Sequence, residues 1–194
     1  MQSIVLASTN KHKLEELGAM LDNYSVLPQN TFNVPEAFEN GSTFAENSLI
    51  KAQNAHNHTR MAVIADDSGL VVPALAGEPG LYSSRFAGPC ATDMENCDKL
   101  LKHMQNLSNE QRQAYFYCVI TYITRDSVVH QFSGKMDGSI IKVPKATRGF
   151  GYDPIFTAKG YTTTIAKMPF EDKNLISHRF KALTQLKQLL CPTA

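Results

Sequence analysis

The stretch Ser3-Ile4-Val5-Leu6-Ala7-Ser8-Thr9-Asn10-Lys11-His12-Lys13-Leu14-Glu15-Glu16-Leu17 decides how the chain is read. Its first five residues are short, apolar and β-branched, the pattern of a buried strand over 3–7. Leu14, Leu17 and Leu21 then recur on one helical face, and Asn10 stands where a helix N-cap belongs, so a helix is predicted over 11–21. Strand, tight turn and helix in this order open an α/β domain.

Working outward, 24–27 reads as a second short strand closed by Pro28, and 28–42 as a loop. Thr43-Phe44-Ala45-Glu46 is a capping-box pattern that starts a helix to about residue 57. The apolar run 61–65 predicts a strand ending in Asp66-Asp67-Ser68-Gly69, where Ser68 and Gly69 suit a tight turn. A Gly/Pro-punctuated stretch follows over 73–89, and Thr92-Asp93-Met94-Glu95 is a second capping box opening a helix to about residue 104. Residues 114–124 and 127–135 are rich in β-branched and aromatic side chains around Arg125-Asp126, which predicts an antiparallel hairpin. A third strand is expected over 139–143. The loop Gly149-Phe150-Gly151-Tyr152-Asp153-Pro154 should lead into a strand at 155–156, and helix in two pieces is expected from Pro169 to Leu190. The sum is a mixed α/β fold, a single domain over 1–194 with two lobes, whose cleft is the expected ligand site.

The 194 residues suit one domain with a sizeable core. A net charge of +1 argues against polymeric nucleic acid as partner, since phosphate tracks need a basic stripe. The apolar N-terminus is too short for a signal h-region and lacks a basic n-region, and no apolar run approaches a membrane span of about 20 residues. Cys90, Cys97, Cys118 and Cys191 make no C-x-x-C pair and no disulfide framework, so the expectation is a cytoplasmic protein without a zinc site.

Several segments carry possible chemistry. The turn Ser8-Thr9-Asn10 precedes a helix N-terminus, where free amides and the helix dipole favour an anion, and Lys13 can reach back as a point cation. It is not a P-loop, because G-x-x-x-x-G-K-[ST] is absent, and ordinary capping with solvated lysines is the competing reading. Asp66 and Asp67 are adjacent carboxylates at a strand end. Extended backbone sends their side chains to opposite faces, so one of them serves a metal more easily while the other braces. Magnesium takes one or two carboxylates with phosphate oxygens and water. Glu39, in a polar loop with no evident structural duty, is the candidate second carboxylate, whereas Glu46 is accounted for by its capping box. In Phe150-Gly151-Tyr152-Asp153 an aromatic ring can stack on a base, or pack as a core aromatic at a hairpin corner. Lys173, His178 and Arg179 gather donors suited to a purine O6 or N7 edge, or form a solvated helix face. No G-x-S-x-G elbow is present.

Taken in order, these segments resemble the inosine/xanthosine triphosphate pyrophosphatases. The matching blocks are Ser8-Thr9-Asn10-x-x-Lys13 with Glu16; Thr43-Phe44-x-Glu46-Asn47 followed by Lys51-Ala52; Ala65-Asp66-Asp67-Ser68-Gly69-Leu70; Gly80-Leu81-Tyr82-Ser83-Ser84-Arg85-Phe86; Gly149 to Pro154; and Ser177-His178-Arg179. The resemblance implies an elongated two-lobed α/β fold with a mixed sheet flanked by helices and a homodimer. It implies Mg2+ as cofactor and hydrolysis of ITP, dITP or XTP at the α–β phosphoanhydride to monophosphate and pyrophosphate. On the same ground Ser8, Thr9, Asn10 and Lys13 would hold the triphosphate, Asp67 would be metal ligand or general base, and Glu39 would share the metal. Ser68 would touch substrate, Phe150, Gly151, Tyr152 and Asp153 would enclose base and sugar, and Lys173, His178 and Arg179 would read the 6-oxo purine. One departure is Thr9, at a position where that family often has glycine.

Two rivals follow from the same residues. The Maf-like nucleotide pyrophosphatases resemble the opening Val5-Leu6-Ala7-Ser8, but their Ser-Pro-Arg-Arg continuation is absent here and they lack the Ser-His-Arg ending. A non-catalytic nucleotide-binding regulator would have no need of the Asp66-Asp67 pair and Lys13.

Overall fold

The structure, a computed structural model, describes residues 2–143 and 150–191. Gly149 of the predicted glycine loop lies outside the described residues. Six strands, β1 (Gln2–Leu6), β2 (Tyr24–Pro28), β3 (Val63–Val71), β4 (Gln113–Ile123), β5 (Val129–Ile140) and β6 (Phe156–Ala158), form one sheet in the order β2-β1-β3-β4-β5-β6. Five helices accompany them among the described residues: α1 (Lys11–Met20), α2 (Phe44–Thr59), α3 (Asp93–His103), α4 (Phe170–Ile176) and α5 (His178–Leu190). The sheet is mixed: β1 runs parallel to β2 and β3, and β5 antiparallel to β6. The predicted α/β class is therefore what the chain forms. No helix among the described residues is long and apolar enough to cross a membrane.

The chain divides into two compact units, 1–67 with 118–134 and 179–194, and 68–117 with 135–178. In the first unit both sheet faces are covered, and the pleat sorts the residues. Ile4, Leu6 and Ile64 pack with Leu17 of α1 and Ala182, Leu183 and Leu186 of α5. Their neighbours Val5, Val63 and Ala65 point the other way and pack with Ala52 and Ala55 of α2. Within this unit the even-numbered residues of β3 thus face α1 and α5, and the odd-numbered ones face α2. In the second unit one core cluster gathers Leu70, Leu100, Met136, Ile140, Tyr152 and Phe156. There Gly138 lies against β6, where a β-carbon would fall on the Thr157 carbonyl and the Phe156 ring.

The capping expectations meet the coordinates in detail. The Asn10 side chain accepts from the Lys13 amide at 3.3 Å. Both halves of the Thr92–Glu95 box form. Thr43 accepts from the Glu46 amide, but the Glu46 carboxylate turns to the Ser42 amide and hydroxyl, so the first box is only half made.

Two expectations are corrected. No turn follows Ala65: β3 runs unbroken through Asp66-Asp67-Ser68-Gly69 to Val71, because the apolar run resumes at Leu70 and Val72, both fully buried, and continued pairing satisfies the backbone better than a turn. Nor is there a separate third strand over 139–143. Ser139 and Ile140 are the end of a long β5, which β6 pairs up to Ile140 opposite Phe156.

Candidate functional site

The pleat of β3 explains the geometry around the adjacent aspartates. Asp66, even-numbered, faces α1 and α5. Its carboxylate is buried, with Lys13 Nζ at 2.8 Å from Oδ1 and Arg179 Nε at 3.3 Å from Oδ2. Arg179 in turn reaches Glu16 through Nη1 at 2.7 Å. Burial alone would push the Asp66 carboxyl up, but the cations of Lys13, Arg179 and Lys51 outweigh it and hold the group well below the usual carboxylate range. Asp66 therefore stays ionised as a brace that fixes Lys13 and the start of α5.

Asp67, odd-numbered, faces α2 and meets Lys51. The Lys51 ammonium lies 3.0 Å from Asp67 Oδ1 and 2.9 Å from Glu39 Oε2. One lysine thus gathers the two carboxylates predicted to hold a metal. Burial raises the Asp67 carboxyl above its ordinary value, and Lys51 offsets this only in part. For Lys51, burial opposes the charged form, but Asp67, Asp66 and Glu39 prevail and its pKa is raised.

Beside these groups lies a polar pocket of about 180 Å³ lined by Ser8, Thr9, Lys13, Glu39, Lys51 and Asp66, among others. Asn10 is turned to its capping duty, its backbone N–H donating to Ser8 Oγ at 3.2 Å. Thr9 is absent from the residues at positive φ, so its β-carbon causes no strain where glycine is often found. The structure thus brings together Ser8, Thr9, Lys13, Glu39 and, through Lys51, Asp67, all within the first unit.

The remaining candidates belong to the second unit, apart from Arg179. Gly151, at φ 59°, donates its amide to Asp93 Oδ2 at 2.7 Å, which ties the loop to the start of α3. Tyr152 is 3% exposed and donates its hydroxyl to the Ser83 carbonyl, whereas the Phe150 ring is 53% exposed. Of the two, Phe150 is the exposed ring and Tyr152 is core. Asp153 is buried and paired with Lys173 Nζ; burial raises its carboxyl, with Lys173 opposing. The His178 imidazole stacks on Phe116, ring centres 5.0 Å apart. Ser68 is half-buried within β3 rather than at a turn.

Sequence reasoning quoted Lys51 only within a matching block and read Asp66 only as a brace, and gave neither a named place in the site. The helix position of Lys51 offers no local signal, since an isolated lysine on a helix is ordinarily solvated. The strand parity that separates Asp66 from Asp67 was the available clue for the other.

Among the described residues no three of His, Cys, Asp and Glu cluster as a metal cage. Glu39 and Asp67, already sharing a cation in the form of the Lys51 ammonium, are a pair of the kind magnesium takes when phosphate and water supply the other ligands. The pocket lining itself places Lys13 and Lys51 against Glu36, Glu39 and Asp66, a formal excess of one negative charge. A triphosphate carrying a divalent cation is repelled less there than a bare one. The residues fit the ion.

An α/β chain with a capped anion turn and two carboxylates gathered on one cation belongs among phosphate-handling proteins. The chain belongs to the Ham1 family, which it matches over residues 4–189. It is 45% identical over 192 residues to a dITP/XTP pyrophosphatase of Legionella pneumophila, covering 98% of this chain and 99% of that one. A dITP/XTP pyrophosphatase of Geobacter sulfurreducens is 44% identical, with 98% and 97% covered. A solved HAM1 protein from Coxiella burnetii superposes with a TM-score of 0.93 at 41% identity over the whole of both chains.

Proposed function

We propose that this protein is a magnesium-dependent pyrophosphatase for non-standard purine nucleoside triphosphates, cutting ITP, dITP or XTP to the monophosphate and pyrophosphate. The observation that carries the reading is the joining of Glu39 and Asp67 by one ammonium beside the pocket that Ser8, Thr9 and Lys13 line. The near-complete coverage of relatives named as dITP/XTP pyrophosphatases supports the substrate class.

Glu39 and Asp67 would hold the metal, which when bound neutralises phosphate charge and favours departure of pyrophosphate. Lys13, kept in place by Asp66, meets charge growing on the leaving phosphates. Asp67 takes a proton from the water that attacks the α-phosphorus. Ser8, Thr9 and Asn10 orient the triphosphate. The pocket volume is below the roughly 300–1,000 Å³ of sites that enclose a whole small ligand, which suits the phosphate end of a nucleotide. Ser68 contacts substrate. Phe150 is assigned to stacking on the base, Gly151 and Asp153 to enclosure and Tyr152 to their buried support. Lys173, His178 and Arg179 are assigned to the 6-oxo edge. A donor aimed at O6 rejects adenine, whose amine is itself a donor.

The same reading has the protein working as a cytoplasmic homodimer. Four free cysteines suit a reducing compartment, and sedimentation analysis tests the dimer. Activity is tested with ITP, dITP, XTP, ATP, GTP and modified pyrimidine triphosphates, with magnesium and with chelator. Pyrophosphate from ITP and XTP at least about a hundredfold faster than from ATP is expected. Comparable turnover of ATP would overturn the substrate assignment, preference for modified pyrimidines would favour a Maf-like activity, and binding without turnover would favour a regulator.

A further inference from the structure

The Lys51 ammonium is shared by the two carboxylates assigned to the metal, at 2.9 Å from Glu39 and 3.0 Å from Asp67, and its side chain is 15% exposed. With the nearby Asp66 engaged by Lys13 and Arg179, each of these three carboxylates has a cationic partner in the chain itself. A divalent ion approaching the protein alone would have to displace Lys51, leaving a largely desolvated ammonium beside a doubly charged ion with its acceptors taken. Breaking such a pair without replacement is costly. A nucleotide removes the obstacle, because its phosphate oxygens supply both missing metal ligands and a new acceptor for Lys51.

Resting on the proposed function, we propose that Lys51 is a built-in counter-cation that blocks the metal site of the free protein, so that the metal is admitted only together with the polyphosphate. The arrangement makes metal and nucleotide binding mutually dependent. A site whose competent state is populated about one-tenth of the time binds about tenfold more weakly than its intrinsic constant. It also gives the lysine a role beyond contact with substrate: free divalent cations do not fill the site, and the charge balance near Asp66 is kept before the nucleotide arrives.

The test uses Mn2+ on the full, metal-stripped chain, with free Mn2+ followed by its electron paramagnetic resonance signal. Measurements are made with and without an inosine triphosphate analogue carrying a methylene bridge between the α- and β-phosphorus. Wild type is expected to bind Mn2+ at least about tenfold more tightly with the analogue, and Lys51→Gln to bind it about 10–100-fold more tightly than wild type when no analogue is present. Lys51→Arg, which keeps a cation between the carboxylates, should behave as wild type and guards against loss of fold as the cause. Equal affinity of wild type and Lys51→Gln without analogue would overturn the proposal. Should Mn2+ still bind with the analogue in that case, and be lost in Glu39→Gln, the metal assignment itself survives. Absence of Mn2+ binding in every protein, analogue present, would overturn both.

Discussion

Asp66 and Arg179 stand 113 positions apart in the chain and meet in the interior of the first unit, Arg179 Nε 3.3 Å from Asp66 Oδ2. The contact joins the central strand to the first turn of the last helix. With Lys13 on the other oxygen, it makes one buried carboxylate the junction of β3, α1 and α5.

Asp66→Asn removes the carboxylate that Lys13 and Arg179 share at that junction. Loss of one member of a buried ion pair costs about 3–5 kcal/mol, and urea unfolding at pH 7 should show it. The native carboxyl is held below its ordinary range, so its stabilisation is fully present above the unfolded aspartate value near about 3.9 and is lost as pH falls below that toward the native pKa. Wild type should therefore lose stability on acidification below about pH 4 more steeply than Asp66→Asn.

Asp67→Asn should separate stability from activity. Burial raises the Asp67 carboxyl, so its ionisation costs stability as pH rises from the unfolded aspartate value near about 3.9 through the native pKa, and the neutral amide removes that cost while Glu39 still pairs Lys51. The variant is expected to unfold at an equal or higher urea concentration at pH 7, while turnover of ITP falls by about 10²–10⁴-fold and nucleotide still binds. A destabilised variant with near-normal turnover would remove Asp67 from the chemistry.

Arg112, outside the proposed site, is 3% exposed and donates to three main-chain carbonyls: Nε to Ile140 at 2.8 Å, Nη1 to Met104 at 2.6 Å and Nη2 to Ile141 at 2.8 Å. A lysine carries its donors on one atom and does not span them. Arg112→Lys should destabilise by about 2 kcal/mol or more, since each buried acceptor left without a donor costs about 1–3 kcal/mol. Thermal unfolding measures it, and the KM for ITP should be unchanged.

The parts of this molecule legible from sequence are those fixed by neighbours along the chain. Asn10 and the Thr92–Glu95 box were visible as caps because a cap is a three-residue relationship. The period of Leu14, Leu17 and Leu21 marked the core face of α1, though Met20 and not Leu21 ends the helix. What misled was polarity taken as a sign of turning: Asp66 to Gly69 looks like a strand end, yet it is mid-strand because side chains distant in sequence, Lys13, Lys51 and Arg179, compensate its charges. The same distance hid Lys51, sixteen positions before Asp67, and the bond from Glu46 to Ser42 in place of a full box. The blocks quoted from the sequence named the right family, while the division of Phe150 and Tyr152 into an exposed ring and a core ring needed coordinates.

The central claim is that water, activated by Asp67, attacks the α-phosphorus of a 6-oxo purine nucleoside triphosphate. Hydrolysis of ITP in ¹⁸O-labelled water with magnesium, followed by mass analysis of both products, tests it most directly. The account predicts inosine monophosphate carrying one labelled oxygen and unlabelled pyrophosphate. Label in the pyrophosphate, or inosine diphosphate with free phosphate as products, would contradict it.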